Sequence, residues 1–317
     1  MTVLIQDIEL ARVRLQGRIR ETPMIEVVDA TQPVTDGELY LKLENLQISG
    51  SFKARGATNT LLSLPPERLA KGLITASGGN HGLGVAAAAR GAGVPAKIFL
   101  PANTPAAKAD KIRRWGAEVI SHGAVWDDAN VKAMETAELT GMLYVHPFAL
   151  PSVIAGQGTV GLEILEQRPD VDIVVVAIGG GGLMSGVATA IKSIRPDVRV
   201  IGVEPEGAPT LYQSVRQGAV IELDEITTRA NTLAPRRSEA INLALISRHT
   251  DEIVLVSDAD MEAAADWLWF ELGIAAELAA AAGIAALASG KIVAEAGAKV
   301  CVLICGAGED GINGHKK

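Results

Sequence analysis

The sequence predicts an α/β fold in which mostly parallel β-sheet carries helices on both faces. Short apolar runs alternate with segments whose apolar residues recur at helical spacing, which is typical of parallel strands joined by crossover helices. The predicted strands lie near residues 24–28, 38–43, 72–75, 96–100, 117–120, 142–145, 172–178, 199–203, 252–256 and 299–305. The predicted helices lie near residues 5–19, 52–63, 81–92, 105–115, 125–139, 155–167, 183–194, 258–271 and 275–288. A long loop is expected over residues 222–238, where apolar periodicity is weak.

Composition and charge narrow the class of protein. The chain has 317 residues, 48% of them hydrophobic, yet no apolar run approaches the length of a membrane span. The net charge is −8 and no cluster of lysine and arginine stands out, so neither nucleic acid nor a membrane is an expected partner. Asp7 comes too early for a signal peptide, which favours a cytoplasmic protein. Cys301 and Cys305 lie four residues apart on one predicted strand, about 13 Å, which is too far for a disulfide.

Lys53 is the strongest candidate for a catalytic residue. It lies in the segment 50–57, of sequence GSFKARGA, between a predicted strand and a predicted helix, with Ser49 or Ser51 as a candidate N-cap. The positive end of the helix dipole disfavours a cation there and would lower the pKa of the lysine. A free amine is the group that forms a Schiff base with a carbonyl compound. The alternative interpretation is a surface lysine near a helix start.

Two glycine-rich turns are candidates for binding an anion. Residues 76–82, of sequence ASGGNHG, and the four glycines at 179–182 each follow a predicted strand and precede a predicted helix. Small residues let the main chain approach a ligand closely, and N–H groups at a helix start bind phosphate or carboxylate. The four adjacent glycines predict a phosphate-binding turn. The alternative for both segments is a tight or flexible connection between strand and helix.

A third glycine-rich segment has the pattern of a dinucleotide-binding turn. Residues 306–311, of sequence GAGEDG, match GxGxxG after a predicted strand. That site also needs a following helix and an acidic residue about 20 positions further on, and the sequence to Lys317 has no room for them. We therefore expect no dinucleotide site in this segment.

The GSFK, SGGNH and GGGG segments together resemble those of the fold-type II pyridoxal-phosphate enzymes, and within them the serine/threonine dehydratase and serine racemase group. The resemblance covers nearly the whole chain, from Arg20 to Cys305. It implies a tryptophan synthase β-like fold with two open, twisted, mostly parallel sheets. It also implies a large domain that binds pyridoxal 5′-phosphate, formed by residues 1–47 and 148–317, and a small mobile domain formed by residues 48–147.

The resemblance gives each candidate residue a role. Lys53 would hold the cofactor as a Schiff base and would then take the α-proton of the substrate. The cofactor-binding residues that the resemblance implies are Lys53, Phe52, Asn80 at the 3-hydroxyl, Gly179, Gly180, Gly181 and Gly182 at the phosphate, and Cys305 at the pyridine nitrogen. The substrate-binding residues that it implies, around the substrate carboxylate, are Ser77, Gly78, Gly79, Asn80 and His81.

The sequence departs from the pattern of the group in three respects. Gly78 stands where racemases carry a second serine, so we expect weak racemization. The group's Mg²⁺ or Ca²⁺ site would use Glu204 and the carbonyl of Ala208, but Thr210 stands where the group has an acidic ligand. Residues 149–150 are Ala-Leu where relatives often have acids, so the substrate could differ from plain serine or threonine.

The activity that the resemblance implies is a dehydratase, or ammonia-lyase. Such an enzyme removes water from L-threonine or L-serine and gives a 2-oxo acid and ammonia. The alternatives are elimination on a bulkier 3-hydroxy amino acid such as phenylserine or 3-hydroxyaspartate, racemization of serine, and a pyridoxal-phosphate-binding protein without turnover. Because relatives are commonly dimers, a homodimer is expected.

Overall fold

The computed structural model describes residues 2–313 of the chain. Its strands are β1 (Met24–Glu26), β2 (Glu38–Lys42), β3 (Leu73–Ala76), β4 (Ala96–Leu100), β5 (Glu118–Ser121), β6 (Leu143–Tyr144), β7 (Ile173–Ala177), β8 (Arg199–Pro205), β9 (Glu252–Val256) and β10 (Lys299–Leu303). Its helices are α1 (Ile5–Leu15), α2 (Lys53–Leu62), α3 (Pro66–Leu69), α4 (Asn80–Ala92), α5 (Ala106–Arg114), α6 (Trp126–Thr140), α7 (Pro151–Gln167), α8 (Gly182–Ile194), α9 (Thr210–Gln217), α10 (Ala240–His249), α11 (Asp258–Leu272), α12 (Leu278–Ala288) and α13 (Asp310–Asn313). Every predicted strand and every predicted helix is present.

The strands form two separate sheets, which confirms the predicted α/β class. The larger sheet has the order β1-β2-β10-β7-β8-β9, and within it β1 pairs antiparallel to β2 while the other pairs are parallel. The smaller sheet has the order β5-β4-β3-β6 and is parallel throughout. Carboxyl ends of parallel strands share one edge of a sheet. The segments that follow β2, β10 and β7 therefore emerge side by side, and they lead to Lys53, Cys305 and the four glycines.

Each sheet has its own apolar core. All five residues of β7 are buried, and both α8 and α12 pack against this strand, so the larger sheet is covered on both faces. A continuous buried run is typical of a central parallel strand. In the smaller sheet the buried side chains of Leu73 and Ile98 pack with Leu61 of α2 and Ile112 of α5. In the described part of the chain, no helix is both long and apolar enough to cross a membrane.

Four helices were not predicted, namely α3, α9, α10 and α13. The short α3 and α13 have four residues each, which is too few to show a helical period. In α9 the buried positions include Thr210 and Ser214, and in α10 they include Asn242, so polar residues interrupt the apolar stripe. Residues 222–238 are irregular as predicted, apart from a short 3-10 turn and an isolated bridge.

The start of α7 corrects a further prediction. Pro151 is the first residue of this helix, whereas the sequence predicts a helix that begins near residue 155. Proline is favoured in the first turn, because its missing N–H would have no partner inside the helix.

A buried cluster of four charged side chains fixes α2 against the larger sheet. Arg55 donates to both oxygens of Glu44, at 2.7 and 2.8 Å, and to both oxygens of Glu163, at 2.5 and 2.8 Å. Lys42 Nζ donates to Glu163 at 2.6 Å, so two cations balance two carboxylates. Bidentate guanidinium–carboxylate pairs restrict orientation as well as distance. Because Arg55 follows Lys53 by two residues, the cluster also holds the beginning of α2 in place.

Candidate active site

The segment before Lys53 is held by main-chain contacts rather than by a serine cap. Phe52 occupies the N-cap position of α2, so the prediction of Ser49 or Ser51 as the cap is wrong. Both serine hydroxyls are buried and have no hydrogen-bond partner among the described residues. The segment instead pairs with the chain after β10, where Phe52 N donates to Cys305 O at 3.2 Å. These contacts place Lys53 beside the end of β10.

The amine of Lys53 lies in a weakly solvated position. Its Nζ donates to Pro147 O at 2.8 Å and lies 5.1 Å from the centre of the Phe52 ring. Burial lowers the pKa of Lys53 to about 8, against an opposing effect of Cys305 and Glu277. The expected lowering of this pKa is thus confirmed, although burial is its main cause. A larger fraction of free amine is available near neutral pH than an exposed lysine would offer.

The SGGNH turn joins β3 to α4. Residues 77–80 are partly exposed, whereas His81 is buried. Ser77 Oγ accepts a hydrogen bond from Gly79 N at 3.3 Å. His81 Nε2 lies 2.9 Å from Val145 O, and burial lowers the pKa of His81 to about 3, so its neutral ring donates to that carbonyl. The His81 side chain therefore braces the turn, and only its main chain is free to contact a carboxylate.

The four-glycine turn joins β7 to α8 and is clamped from two sides. Gly181, at the N-cap of α8, has a φ of 94°, which favours glycine. A Cβ on Gly180 would lie 2.2 Å from a carbon of the Phe148 ring. Ser238 Oγ and Asn242 Nδ2 both donate to Gly180 O, each at 2.9 Å. The first N–H groups of α8 lack partners within the helix, so the turn is suited to a phosphate group.

A strap of residues 146–149 links Lys53 to the glycine turn. Its Pro147 carbonyl accepts from Lys53, and its Phe148 packs on Gly180. Asn242 Nδ2 also donates to Phe148 O at 3.2 Å, which fastens the strap to α10. His146 Nδ1 accepts from the main-chain N–H groups of residues 148 and 149, at 3.3 and 3.1 Å. Burial lowers the pKa of His146 to about 4, so this ring is neutral and carries its proton on Nε2.

The sequence analysis missed Ser238, Asn242, His146 and Glu277. Ser238 closes the irregular segment 222–238 and Asn242 lies in a helix that was not predicted, so neither carried a signal. Glu277 did carry one, because it is the one charged residue in the apolar run 274–288. Its Oε1 accepts from Asn80 Nδ2 at 2.8 Å.

Cys305 lies two residues beyond the end of β10, so the strand is shorter than the predicted 299–305. It is buried, and burial raises the pKa of its thiol, so the sulfur is neutral. The pKa of Cys301, in the middle of β10, is raised to about 12 for the same reason. Both cysteines are free thiols.

Residues 306–308 connect the segment before Lys53 with the segment before α12. Gly306 bridges to Ser51, and Ala307 bridges to Ala276. A Cβ on Gly306 would lie 2.4 Å from Glu277 Oε1. The glycine pattern of this segment therefore allows close main-chain packing beneath Glu277.

The residues around Glu204 do not fit a divalent cation. Both Glu204 oxygens accept main-chain N–H groups at the start of α9, from Leu211 at 2.9 Å and Tyr212 at 2.7 Å. Thr210 Oγ1 donates to the carbonyl of Pro235, and the carbonyl of Ala208 accepts from Thr210 N. Over residues 2–313 no group of three or more His, Cys, Asp or Glu side chains is placed to hold a metal ion. Glu204 is a buried helix cap, and burial raises its pKa to about 8.

Comparison with known proteins agrees with this geometry. The profile of the family described as "Pyridoxal-phosphate dependent enzyme" matches residues 15–306. The L-threonine ammonia-lyase of Thermotoga maritima is 41% identical over 308 residues, which cover 97% of this chain and 76% of that protein. The phenylserine dehydratase of Ralstonia pickettii is 40% identical over 301 residues, 94% of this chain and 91% of that protein. The structure of maize serine racemase superimposes with a TM-score of 0.92 at 32% identity, over 97% of this chain and 94% of that one.

The described residues fit pyridoxal phosphate. An amine with a lowered pKa, an amide on α4 and a neutral buried thiol meet near the carboxyl edge of the larger sheet, and the strap joins the amine to a helix start suited to phosphate. The chain belongs to the family of pyridoxal-phosphate dependent enzymes.

Proposed function

We propose that the protein is an ammonia-lyase that removes water from a 3-hydroxy amino acid, L-threonine or L-serine. The observation that carries the proposal is the Lys53 amine, whose pKa is lowered to about 8 and which is tied through the strap to the glycine turn. The relative from Thermotoga maritima, which is named an L-threonine ammonia-lyase, supports this reaction.

The chain supplies a base for the reaction. Pyridoxal phosphate held by Lys53 and the glycine turn would supply an acceptor for the electron pair that is released when the substrate Cα–H bond breaks. Lys53 Nζ is the group that takes the α-proton, because a free amine of pKa about 8 can accept one near neutral pH. The proton and the 3-hydroxyl leave together as water. The remaining enamine takes up water and gives the 2-oxo acid and ammonia.

The SGGNH turn is the proposed site for the substrate carboxylate. Its residues 77–80 are partly exposed, and the turn opens at the N-terminus of α4, where N–H groups favour an anion. Ser77 Oγ can donate to a carboxylate while it accepts from Gly79 N. Asn80 at the 3-hydroxyl of the cofactor and Cys305 at its ring nitrogen belong to the same proposal.

Elimination on a bulkier substrate is the second candidate. Residue 149, the last of the strap, is alanine and the next residue is leucine, so this part of the chain lacks acidic side chains. The relative from Ralstonia pickettii is named a phenylserine dehydratase. Racemization is less favoured, since Gly78 has no hydroxyl and a Cβ there would meet the apolar atoms Thr104 Cγ2 at 3.3 Å and Leu100 Cδ2 at 3.5 Å.

We further propose that residues 48–147 form a small domain that moves against residues 1–47 and 148–317, and that the protein is a cytoplasmic homodimer. The separate core around Leu73 and Ile98 supports a separate small domain. Such clefts commonly close over a substrate and exclude water. The net charge of −8 supports a small-molecule enzyme rather than a protein that binds nucleic acid or an anionic membrane.

The test is to assay 2-oxo acid and ammonia after mixing the purified, cofactor-loaded protein with L-threonine, L-serine, phenylserine or 3-hydroxyaspartate. We expect 2-oxo acid from threonine or serine, and we expect Lys53→Ala to lose the activity and the covalently held cofactor. The control Lys108→Ala removes an exposed lysine of α5 and should change neither. Activity on phenylserine alone would favour the second candidate, and D-serine without oxo acid would favour racemization. Turnover that survives in Lys53→Ala would refute the role of Lys53.

A further inference from the structure

Glu277 is a carboxyl group in the candidate site for which the proposed reaction has no role. It immediately precedes α12, and its Oε1 accepts from Asn80 Nδ2 at 2.8 Å. It is also close enough to Lys53 and Cys305 to influence the ionisation of both. Glu277 is only partly exposed, and a carboxyl group withdrawn from water needs hydrogen-bond partners, of which Asn80 supplies one.

The surroundings of Glu277 hold it in a fixed place. A Cβ on Gly306 would lie 2.4 Å from its Oε1, and a Cβ on Gly308 would lie 2.6 Å from its Cα. Its main-chain N–H donates to Gly306 O at 3.3 Å. The next residue, Leu278, donates its N–H to Asp310 Oδ2 at 2.8 Å, which caps the beginning of α12. The segment that resembled a dinucleotide turn is thus the support of this carboxyl group.

We propose that Glu277 is a positioning residue that fixes the direction of the Asn80 amide and controls that direction through its own proton. An ionised carboxylate only accepts hydrogen bonds, so it holds Asn80 with Nδ2 towards it and leaves the second N–H of that amide for the cofactor. A protonated Glu277 can donate to Oδ1 instead, which lets the amide turn over. The inference rests on one part of the proposed function, namely that Asn80 contacts the cofactor. It does not depend on the reaction that the protein catalyses.

The surroundings of Glu277 place the pKa of its carboxyl group near neutral pH. Burial, with a smaller effect of Asp310, raises the pKa of Glu277 to about 7, against the opposing effects of Asn80, Thr232 and Lys53. The neutral thiol of Cys305 is a further titratable group close enough to interact with it. Glu277 is therefore largely ionised above a pH of about 7 and largely protonated below that pH.

The experiment follows the visible absorption of the cofactor-loaded protein without substrate, from about pH 5 to pH 9. We expect a spectral transition near the pKa of Glu277 in the parent protein and its loss in Glu277→Gln, with cofactor affinity about tenfold weaker. In Asp310→Asn the amide oxygen can still cap α12, but the neighbouring negative charge is gone. The transition should therefore move to lower pH. Glu295→Gln, at an exposed glutamate, is the control and should titrate as the parent does.

Two results would overturn the inference. One is a Glu277→Gln protein that keeps the transition and the affinity of the parent. The other is a spectral transition that stays at the same pH or moves to higher pH in Asp310→Asn. If Glu277→Gln does not fold, the Asp310→Asn result alone tests the role of Glu277. Because the measurement needs no substrate, it is independent of the proposed reaction. A parent protein that shows the transition and makes no 2-oxo acid would refute the function and leave the role of Glu277 intact.

Discussion

Replacing Gly180 by alanine should weaken cofactor binding by tightening the contact between the glycine turn and the strap. The new Cβ would lie 2.2, 2.3 and 2.5 Å from three carbons of the Phe148 ring. Ordinary carbon–carbon contacts are about 3.5–4.0 Å, so the ring or the turn has to move by roughly 1 Å. The ring has little freedom, because it packs edge-on against His146 with the ring centres 4.6 Å apart.

The size of the effect follows from that displacement. Overpacking of this kind costs about 1–3 kcal/mol, and a misplacement of about 1 Å in a site can cost about a hundredfold. We therefore expect pyridoxal phosphate to bind about 10- to 100-fold more weakly to Gly180→Ala. The assay is titration of the apoprotein with the cofactor, followed by its visible absorption, with thermal unfolding measured in parallel.

Gly91→Ala is the matched control for this variant. Gly91 lies in α4, and a Cβ there would meet no atom within 4 Å among the described residues. Alanine should be neutral or stabilise the helix by about 0.5–1 kcal/mol, with unchanged cofactor affinity. If Gly180→Ala bound the cofactor as tightly as the parent, a Cβ at residue 180 would fit without displacing the turn or the Phe148 ring. That result would contradict the proposal that this turn binds the phosphate.

Three further outcomes are expected. Asn242→Ala removes the buried donor to Gly180 O, so unfolding measurements should show a loss of about 1–3 kcal/mol, with weaker cofactor binding in titrations. The rate at which the apoprotein recaptures pyridoxal phosphate, followed by absorbance, should rise with pH through about 8 and then level off, because only the free amine of Lys53 attacks the carbonyl. A normal lysine pKa would instead give a rise that continues beyond about pH 10. Gly78→Ser should increase the yield of D-serine in a chiral assay, since the hydroxyl adds a proton donor and its Cβ needs only a small shift of Thr104.

Local apolar patterns were enough to predict all ten strands. The pattern is clearest in β7, which is apolar throughout and buried, whereas β1, β5 and β6 have no buried residue. Two helices of eight or more residues, α9 and α10, could not be predicted. Their buried faces contain Thr210 and Asn242, which make hydrogen bonds to distant segments, and Ser214, which accepts from Ile221 N in the loop after α9. A pattern based on hydrophobic spacing does not detect a polar residue that is buried for a tertiary contact.

The residues of the candidate site also fall into those that local sequence identifies and those that only the fold brings to the site. Lys53 and the two glycine-rich turns stand directly after predicted strands, so local sequence was enough to identify them. Ser238 and Asn242 act on the carbonyl of Gly180 from 58 and 62 residues away. Such groups have no fixed spacing from the turn that they hold, and only the fold brings them to it.

Two segments with conspicuous local patterns have structural tasks that sequence alone could not assign. Arg55 lies in the same short segment as Lys53, yet it binds Glu44 and Glu163 in a buried cluster, facing away from solvent. The glycines after β10 match a nucleotide-binding pattern, yet they allow the main chain to pack beneath Glu277. Chemistry at Lys53 requires that α2 and the segments after β10 and before α12 keep fixed relative positions, because Cys305 and Glu277 influence the pKa of its amine. Arg55 and the glycines after β10 therefore resemble a ligand site in the sequence, but in the structure they hold the segments around the Lys53 amine in place.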